Sequence, residues 1–239
     1  MAMRTTDRSA RMERAFDRID ETYRTSPALE AFTAAGVYDK LGMLVLIALF
    51  AGAFGYLVAS PGIILLGIVA GLVLGLVGIF RPAHAKVVAP LYSIAEGVAL
   101  GGITSFYSTG SSGIAPMAII FTAGVFVAAL VLFRSGIVKV TPRFMAVTMM
   151  ALVGFLLVML ASAFGMPLPS FAGLSGYGVL GAIGVIIGVM ALFVDFNYVK
   201  VGEERMLPAE AEWYAALSLM MSLVFVYINV LRMLGGRRR

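Results

Sequence analysis

The chain contains no cysteine and only one histidine, His84, among its 239 residues. The absence of cysteine excludes a disulfide framework, thiolate catalysis and metal sites with cysteine ligands. A single histidine also excludes a metal site built from a histidine cluster. Charged residues are scarce as well, at 13% of the chain, whereas soluble domains carry about 25%.

Hydrophobic residues dominate instead, with 61% of the chain and a mean hydropathy of +0.98. This composition excludes a soluble globular protein. Seven apolar stretches are long enough to cross a bilayer. They cover residues 41–60, 62–80, 88–107, 115–133, 144–164, 177–196 and 213–234. We therefore predict an all-α polytopic membrane protein, a bundle of seven transmembrane helices.

The first forty residues are polar, with seven basic and seven acidic side chains, and do not have the composition of a signal peptide. Apolar residues at helical spacing predict an amphipathic helix there, which lies on the lipid surface or on the bundle; a solvated helix is the alternative. These residues are Met12, Phe16, Ile19 and Tyr23. Ser26 and Pro27 predict the start of a second short helix that ends near Gly36. The predicted organisation is a cytoplasmic tail over residues 1–40 and a transmembrane domain over residues 41–235.

Lysine and arginine residues are concentrated in alternate loops, which lie on one side of the predicted bundle. The tail carries seven, the six loops carry 0, 2, 0, 3, 0 and 2, and the end of the chain carries four. The positive-inside bias therefore places the N-terminus in the cytoplasm, and the basic balance needs no nucleic-acid partner. A seventh crossing puts Arg232 and residues 237–239 outside, against that bias. The last segment is long enough for a full crossing, which we favour over a re-entrant segment.

Glycines recur at every fourth residue in three of the predicted helices. Such spacing lets helix backbones approach closely in lipid. A glycine-lined permeation path is the alternative. The residues are Gly67, Gly71, Gly75, Gly97, Gly101, Gly184 and Gly188.

Only two acidic residues, Glu96 and Asp195, lie inside apolar segments. A carboxylate in hydrocarbon is costly unless it is paired, hydrated or protonated, so each is a candidate for function. Glu96 lies about 12 Å from the cytoplasmic start of its helix, and Asp195 about 7 to 8 Å from Lys200 at the end of its own. Their similar depths predict that the two carboxylates meet if their helices are neighbours. We expect both to act as proton acceptors and as weak, transient cation ligands. The alternatives are a helix-end pair of Asp195 with Lys200 or Arg143 and a structural hydrogen bond for Glu96.

The seventh predicted helix carries a polar stripe on one face. Its members are Ser218, Ser222, Asn229 and Arg232. We predict that Ser218 and Asn229, together with Glu212 at the start of the helix, line a pathway through the bundle. Hydrogen bonds from these side chains to their own backbone are the alternative.

The positions of the histidine and the lysines exclude two further classes of membrane protein, rhomboid proteases and retinal proteins. The segment around Ser175 resembles the nucleophile segment of rhomboid proteases, but His84 lies on the opposite side of the membrane and cannot act as its base. A retinal protein needs a buried lysine, and the four lysines of the chain are expected at helix ends or in loops: Lys40, Lys86, Lys139 and Lys200. We expect no enzymatic activity, no catalytic residue and no cofactor.

Three segments, residues 90–101, 195–202 and 212–232, resemble the Bax inhibitor-1 family, and more closely its bacterial, YccA-like branch. The resemblance covers roughly residues 27–235. It implies a seven-helix fold with the last helix at the centre, in a bacterial plasma membrane, and a passive, pH-responsive Ca²⁺ leak. Family members are also described as regulators of stress or of membrane proteases.

The resemblance also implies a pair of aspartates, one at the end of the sixth helix and one midway along the seventh. Asp195 matches the first, and the second position is occupied by Ser222. An aspartate facing a serine has one titrating group instead of two coupled ones. Glu96 is the candidate replacement partner, because Glu212 lies about 15 Å from Ser222 along the helix.

The expected function is a cation leak or a proton-linked cation pathway, with the bilayer, cations and protons as partners and Ca²⁺ as a candidate permeant ion. One or two buried acids provide too few ligands for tight Ca²⁺ binding, but weak coordination suits an ion that must also leave. A regulator that binds another membrane protein through its N-terminal tail is the first alternative. A small-solute transporter is the second.

Overall fold

The computed structural model describes residues 31–108, 113–168, 170–171 and 175–236. It contains seven long helices, each long and apolar enough to cross a membrane, which confirms the predicted all-α polytopic fold. The helices are α1 (Ala34–Val58), α2 (Pro61–Phe80), α3 (Ala85–Ser108), α4 (Ile114–Arg134), α5 (Pro142–Ala163), α6 (Gly176–Glu204) and α7 (Ala211–Gly235). A single 3₁₀ turn, Pro82–His84, precedes α3.

The first helix begins earlier than the apolar pattern predicts. It begins at Ala34 instead of residue 41, because the side chain of Thr33 caps it by accepting a hydrogen bond from the Gly36 amide at 3.0 Å. Gly36 therefore lies inside α1, and the prediction that it ends a separate short helix is wrong. Asp39 and Lys40 lie within the helix. Because these two charged residues interrupt the apolar pattern, the pattern does not detect the first turns of α1. The amphipathic pattern over residues 12–23 and the start predicted at Ser26 and Pro27 fall outside the described residues.

The sixth helix extends eight residues past its predicted end at 196, to Glu204. At its start Ser175 accepts a hydrogen bond from the Gly178 amide, and Thr141 caps α5 in the same way through the Phe144 amide. These capped, alternating helices place most basic residues at one end of the bundle, which we call the basic end. It carries Lys40, Arg81, Lys86, Arg134, Lys139, Arg143, Lys200 and Arg205, whereas Arg232 lies near the other end.

The last helix lies at the centre of the bundle. It packs most extensively on α6 and also contacts α1, α3 and α4. Leu217 faces Gly78 of α2, and the ring of Phe225 lies 5.3 Å from that of Phe155 on α5. Leu217, Leu219 and Val226 of α7 are almost completely buried. The outer faces of the surrounding helices expose large apolar side chains, as expected for contact with lipid.

Glycines make the closest helix contacts. At the crossing of α1 and α3, a Cβ on Gly101 would meet the backbone of Gly52, and a Cβ on Gly55 would meet the backbone of Val98. The other glycines with four-residue spacing also face neighbouring helices; Gly67, for example, faces the Ala95 carbonyl of α3. The glycine stripes are therefore packing surfaces, which is the structural reading of the sequence pattern.

We expect Gly101→Val to destabilise the fold, because its Cβ would meet backbone atoms that cannot rotate away. Overpacking of this kind costs about 1 to 3 kcal/mol. The measurement is the midpoint of thermal unfolding in detergent. Gly124→Val on α4 is the matched control, since a Cβ there meets no atom within 4 Å. Equal midpoints for the two variants would contradict the close α1–α3 contact.

Candidate functional site

Asp195 lies on the face of α6 that packs on the central helix. Its side chain is buried, with 9% exposed. Oδ1 accepts a hydrogen bond from Ser218 Oγ and Oδ2 accepts one from Ser222 Oγ, each at 2.5 Å. Both carboxylate oxygens are thus bound by hydroxyls that lie one turn apart on α7, and we call these three residues the Asp195 site.

Glycines on α6 bring the two helices close enough for these hydrogen bonds. A Cβ on Gly181 would meet the α7 backbone, and one on Gly184 would meet the side chain of Asn229. Gly188 faces Val226 in the same way. Asp195 lies seven residues, or about two turns, beyond Gly188 and therefore on the same face. Close packing along the helix holds its carboxylate against α7.

No basic side chain in the described part of the chain forms an ion pair with Asp195. Lys200, the helix-end partner considered from the sequence, lies 3.8 Å from Glu204 instead. A buried carboxylate without a counter-charge is costly when it is ionised, and two neutral hydroxyls offset only part of that cost. The Asp195 site therefore favours binding of a positive species, either a proton or a cation.

Glu96 lies elsewhere in the bundle. It is half-buried on α3, and a Cβ on Gly71 of α2 would meet its carboxyl group. The α3 helix packs mainly on α1 and α2, whereas Asp195 faces α7 from α6. Within the described residues, no hydrogen bond or ion pair joins the two carboxylates. The structure does not bring Glu96 to Asp195 as a replacement for the second aspartate.

Glu212 belongs to a separate cluster at the start of α7. Its Oε2 binds Lys40 Nζ at 2.5 Å, and its Oε1 accepts hydrogen bonds from the amide and the hydroxyl of Thr33 at 2.8 and 3.1 Å. Lys40 Nζ also lies 5.5 Å from the centre of the Trp213 ring. The Glu212 side chain is 5% exposed. This cluster ties the start of α1 to the start of α7 and does not contact Asp195.

Asn229 and Arg232 lie further along the polar stripe of α7. Asn229 is fully buried; its Nδ2 donates to the Phe225 carbonyl and its Oδ1 accepts from Arg232 Nη1 at 3.1 Å. The Cβ of Arg232 lies against Gly181 of α6. The stripe as a whole thus faces α6, although Asn229 bonds its own helix and Ser218 and Ser222 bond Asp195.

A small cavity adjoins the Asp195 site on the α2 side. Its volume is about 30 Å³, and its lining includes Ser218 and Tyr214 of α7 and Gly78 of α2. One water molecule needs about 10 to 15 Å³ in this measure and several polar partners. The cavity therefore has room for a water molecule beside the Ser218 hydroxyl. Its lining was not foreseen, because nothing in the sequence pairs Gly78 with Tyr214.

Within the described ranges there is no group of three or more His, Cys, Asp or Glu residues that could hold a metal ion. The Asp195 site supplies two carboxylate oxygens and two hydroxyl oxygens. Ca²⁺ prefers six to eight oxygen ligands. The arrangement can bind a proton, or a cation that keeps part of its water shell.

Comparison with known proteins identifies the family. A family model described as Bax inhibitor 1 like matches residues 5–239, almost the whole chain. The chain therefore belongs to the Bax inhibitor-1-like family, as the three resembling segments indicate. No curated protein matches the chain. The assignment to the bacterial branch stays a prediction.

We expect Lys40→Met to destabilise the protein by about 3 kcal/mol, because it leaves the buried Glu212 carboxylate without its cation. Thermal unfolding in detergent measures the effect. Lys200→Met is the matched control, since it removes an exposed pair with Glu204 that is worth less than about 0.5 kcal/mol. The double variant Lys40→Met, Glu212→Gln should recover much of the loss. Equal stability of the two single variants would show that the Glu212 cluster does not hold α1 to α7.

Proposed function

We propose that the protein is a passive, pH-modulated cation leak, with Ca²⁺ as its candidate permeant ion, and that Asp195 binds the proton or the cation that controls it. The observation that supports this is a buried carboxylate that accepts hydrogen bonds from two hydroxyls of the central helix and forms no ion pair with any described residue. Ionisable groups inside a membrane protein typically mark ion or proton pathways. We propose no enzymatic activity and no cofactor.

Proton and cation compete for the same carboxylate in this proposal. A serine hydroxyl has one donor and two acceptor sites. Ser218 and Ser222 therefore donate to the ionised carboxylate, and one of them rotates to accept from the protonated carboxyl. A cation takes the place of the proton with hydroxyl and carboxylate oxygens as ligands. No change of helix packing is needed for either state.

Weak binding suits a leak. Four oxygens from Asp195, Ser218 and Ser222 leave a Ca²⁺ ion short of its preferred coordination, so the remaining ligands are water molecules. A permeating ion must leave as readily as it enters. The cavity beside Ser218 is the candidate access for water to this site from the basic end.

Ser222 is the position at which this protein departs from the aspartate pair of the family. The resemblance places an aspartate at this position, and the Ser222 hydroxyl lies on Asp195 Oδ2. Two carboxylates at this distance would titrate as a coupled pair with widely separated steps. One carboxyl and one hydroxyl titrate as a single group, so we propose a simpler pH response in this protein.

We also propose that the basic end is cytoplasmic, in a bacterial plasma membrane. Eight of the nine described basic residues lie at that end, as the positive-inside bias predicts for the cytoplasmic side. The N-terminus is then cytoplasmic and the C-terminus extracytoplasmic.

Asp195→Asn keeps the shape of the side chain and removes its charge and its titration. In liposomes that contain only the purified protein, we expect cation flux to change severalfold and to lose most of its dependence on pH. Ser222→Asp should keep the pH dependence and spread it over two separate steps, because it creates a coupled carboxylate pair.

The matched control is Glu204→Gln, which removes an exposed carboxylate from the same helix and should leave the flux as in the parent. If Asp195→Asn also leaves both the rate and the pH profile unchanged, the residue is a structural helix-packing group. Flux that is absent from the parent protein would favour the alternative, a regulator that binds another membrane protein. Deletion of residues 1–26 should then abolish regulation, whereas it should spare a leak.

A reporter fused after Arg239 tests the orientation. We expect extracytoplasmic activity, because seven crossings place the two termini on opposite sides. A reporter fused before residue 1 should be active in the cytoplasm and serves as the matched control. Cytoplasmic activity of both fusions would mean six crossings and a re-entrant last segment.

A further inference from the structure

A cavity of about 630 Å³ lies between α1, α3, α4 and α7. Along α1 its lining extends from Tyr38 near the basic end to Tyr56 near the other end. Glycines line part of it, including Gly42 and Gly52 of α1 and Gly97 of α3. None of the described residues that line it is charged. The cavity does not include Asp195 or its two serines.

The cavity opens sideways into the bilayer. Both α1 and α4 pack on α3 and α7, but the extensive helix contacts do not include one between α1 and α4. Leu49 of α1 and Ile119 of α4 line the cavity and are still 46% and 43% exposed. A molecule in the membrane can therefore enter between these two helices without passing through water.

The size of the cavity decides the class of occupant. A transmembrane helix about 10 Å wide and 30 Å long fills roughly 2,400 Å³, which is more than this cavity can enclose. The cavity therefore does not enclose a partner helix. Sites for small, largely apolar ligands measure about 300 to 1,000 Å³, and the most abundant such molecule in a membrane is a lipid.

A positive charge lies at the mouth of the cavity at the basic end. The guanidinium of Arg134 lies 6.0 Å from the centre of the Tyr38 ring, and Tyr38 lines the cavity. Arg134 is exposed at the end of α4 and forms no ion pair with any residue that the structure describes. A guanidinium binds phosphate with charge-assisted hydrogen bonds.

The distances along α4 match a lipid anchored at Arg134. Phe126 and Ala123 line the cavity and lie about 12 and 16 Å from Arg134 along the helix. Half of the hydrocarbon core measures about 15 Å. A chain whose headgroup lies at Arg134 thus reaches the middle of the bilayer inside the cavity.

We propose that this cavity binds one anionic glycerophospholipid from the leaflet at the basic end, with an acyl chain between α1 and α4 and its phosphate on Arg134. Because lipid tails are as apolar as the lining, the chain itself gains little by leaving the bilayer. The choice of lipid therefore depends on the contact between the phosphate and Arg134. This proposal is independent of the cation leak.

The test is native mass spectrometry of the purified protein after reconstitution with equal amounts of phosphatidylglycerol and phosphatidylcholine and a detergent wash. The parent should retain one phospholipid per chain, mostly phosphatidylglycerol. Gly42→Leu should lose most of it, because a Cβ there meets no atom within 4 Å and the larger side chain fills the cavity without distorting the backbone. Arg134→Gln should lower phosphatidylglycerol retention severalfold.

Two matched controls separate the loss of lipid from this cavity from the general effects of a larger side chain or of a lost positive charge. Gly124→Leu makes the same substitution at an open glycine of α4 that does not line the cavity, and Lys139→Gln removes an exposed basic residue beyond Arg134. Both should retain lipid as the parent does. Retention by Gly42→Leu equal to that of Gly124→Leu would overturn the proposal. So would retention of the neutral lipid in place of phosphatidylglycerol.

Discussion

The burial of one carboxylate between two closely packed helices is the constraint on which the candidate site depends. Asp195 is held against α7 because Gly181, Gly184 and Gly188 allow the two helices to touch along their length. In lipid this contact gains little from the hydrophobic effect and relies on van der Waals packing and interhelical hydrogen bonds. The bonds from Ser218 and Ser222 therefore contribute to the fold as well as to the chemistry.

Two of the described acids, Glu212 on α7 and Asp195 against α7, are buried and are stabilised in different ways. Glu212 has a lysine, a backbone amide and a hydroxyl as partners, and it lies in the first turn of the helix, where the helix dipole also favours a negative charge. Its charge is thus satisfied in the folded protein. Among the described residues, Asp195 has only neutral hydroxyls as partners, so its charge is satisfied only when something else binds. This difference separates a structural cluster from a site with a free binding capacity.

Much of the fold could be predicted from the sequence, because helix length and small-residue spacing are local properties. The seven apolar stretches became seven helices, and the four-residue spacing of Gly97 and Gly101 became a helix contact. The start of α1 was missed, since the polar residues Asp39 and Lys40 interrupt the apolar pattern while Thr33 provides a cap that periodicity does not detect.

The candidate site could be predicted only in part. Depth along a helix could be estimated for Glu96 and Asp195, but depth does not say which way a side chain faces. The direction depends on which helices are neighbours, and Glu96 faces Gly71 of α2 whereas Asp195 faces α7. The pair of Lys40 and Glu212 joins residues 172 positions apart, and no local pattern connects them.

The presence of serine at position 222 carries a physical consequence for the whole molecule. A second carboxylate beside Asp195 would repel the first whenever both were ionised, and that repulsion would act directly between α6 and α7. With Ser222 the contact between the two helices is attractive in either protonation state, because the hydroxyl both donates and accepts. The same residue that simplifies the titration therefore lets the central helix stay packed on α6 while Asp195 gains or loses its proton. For the proposed cation leak, we therefore expect a path to open through the exchange of partners on Asp195, and not through electrostatic repulsion between the helices.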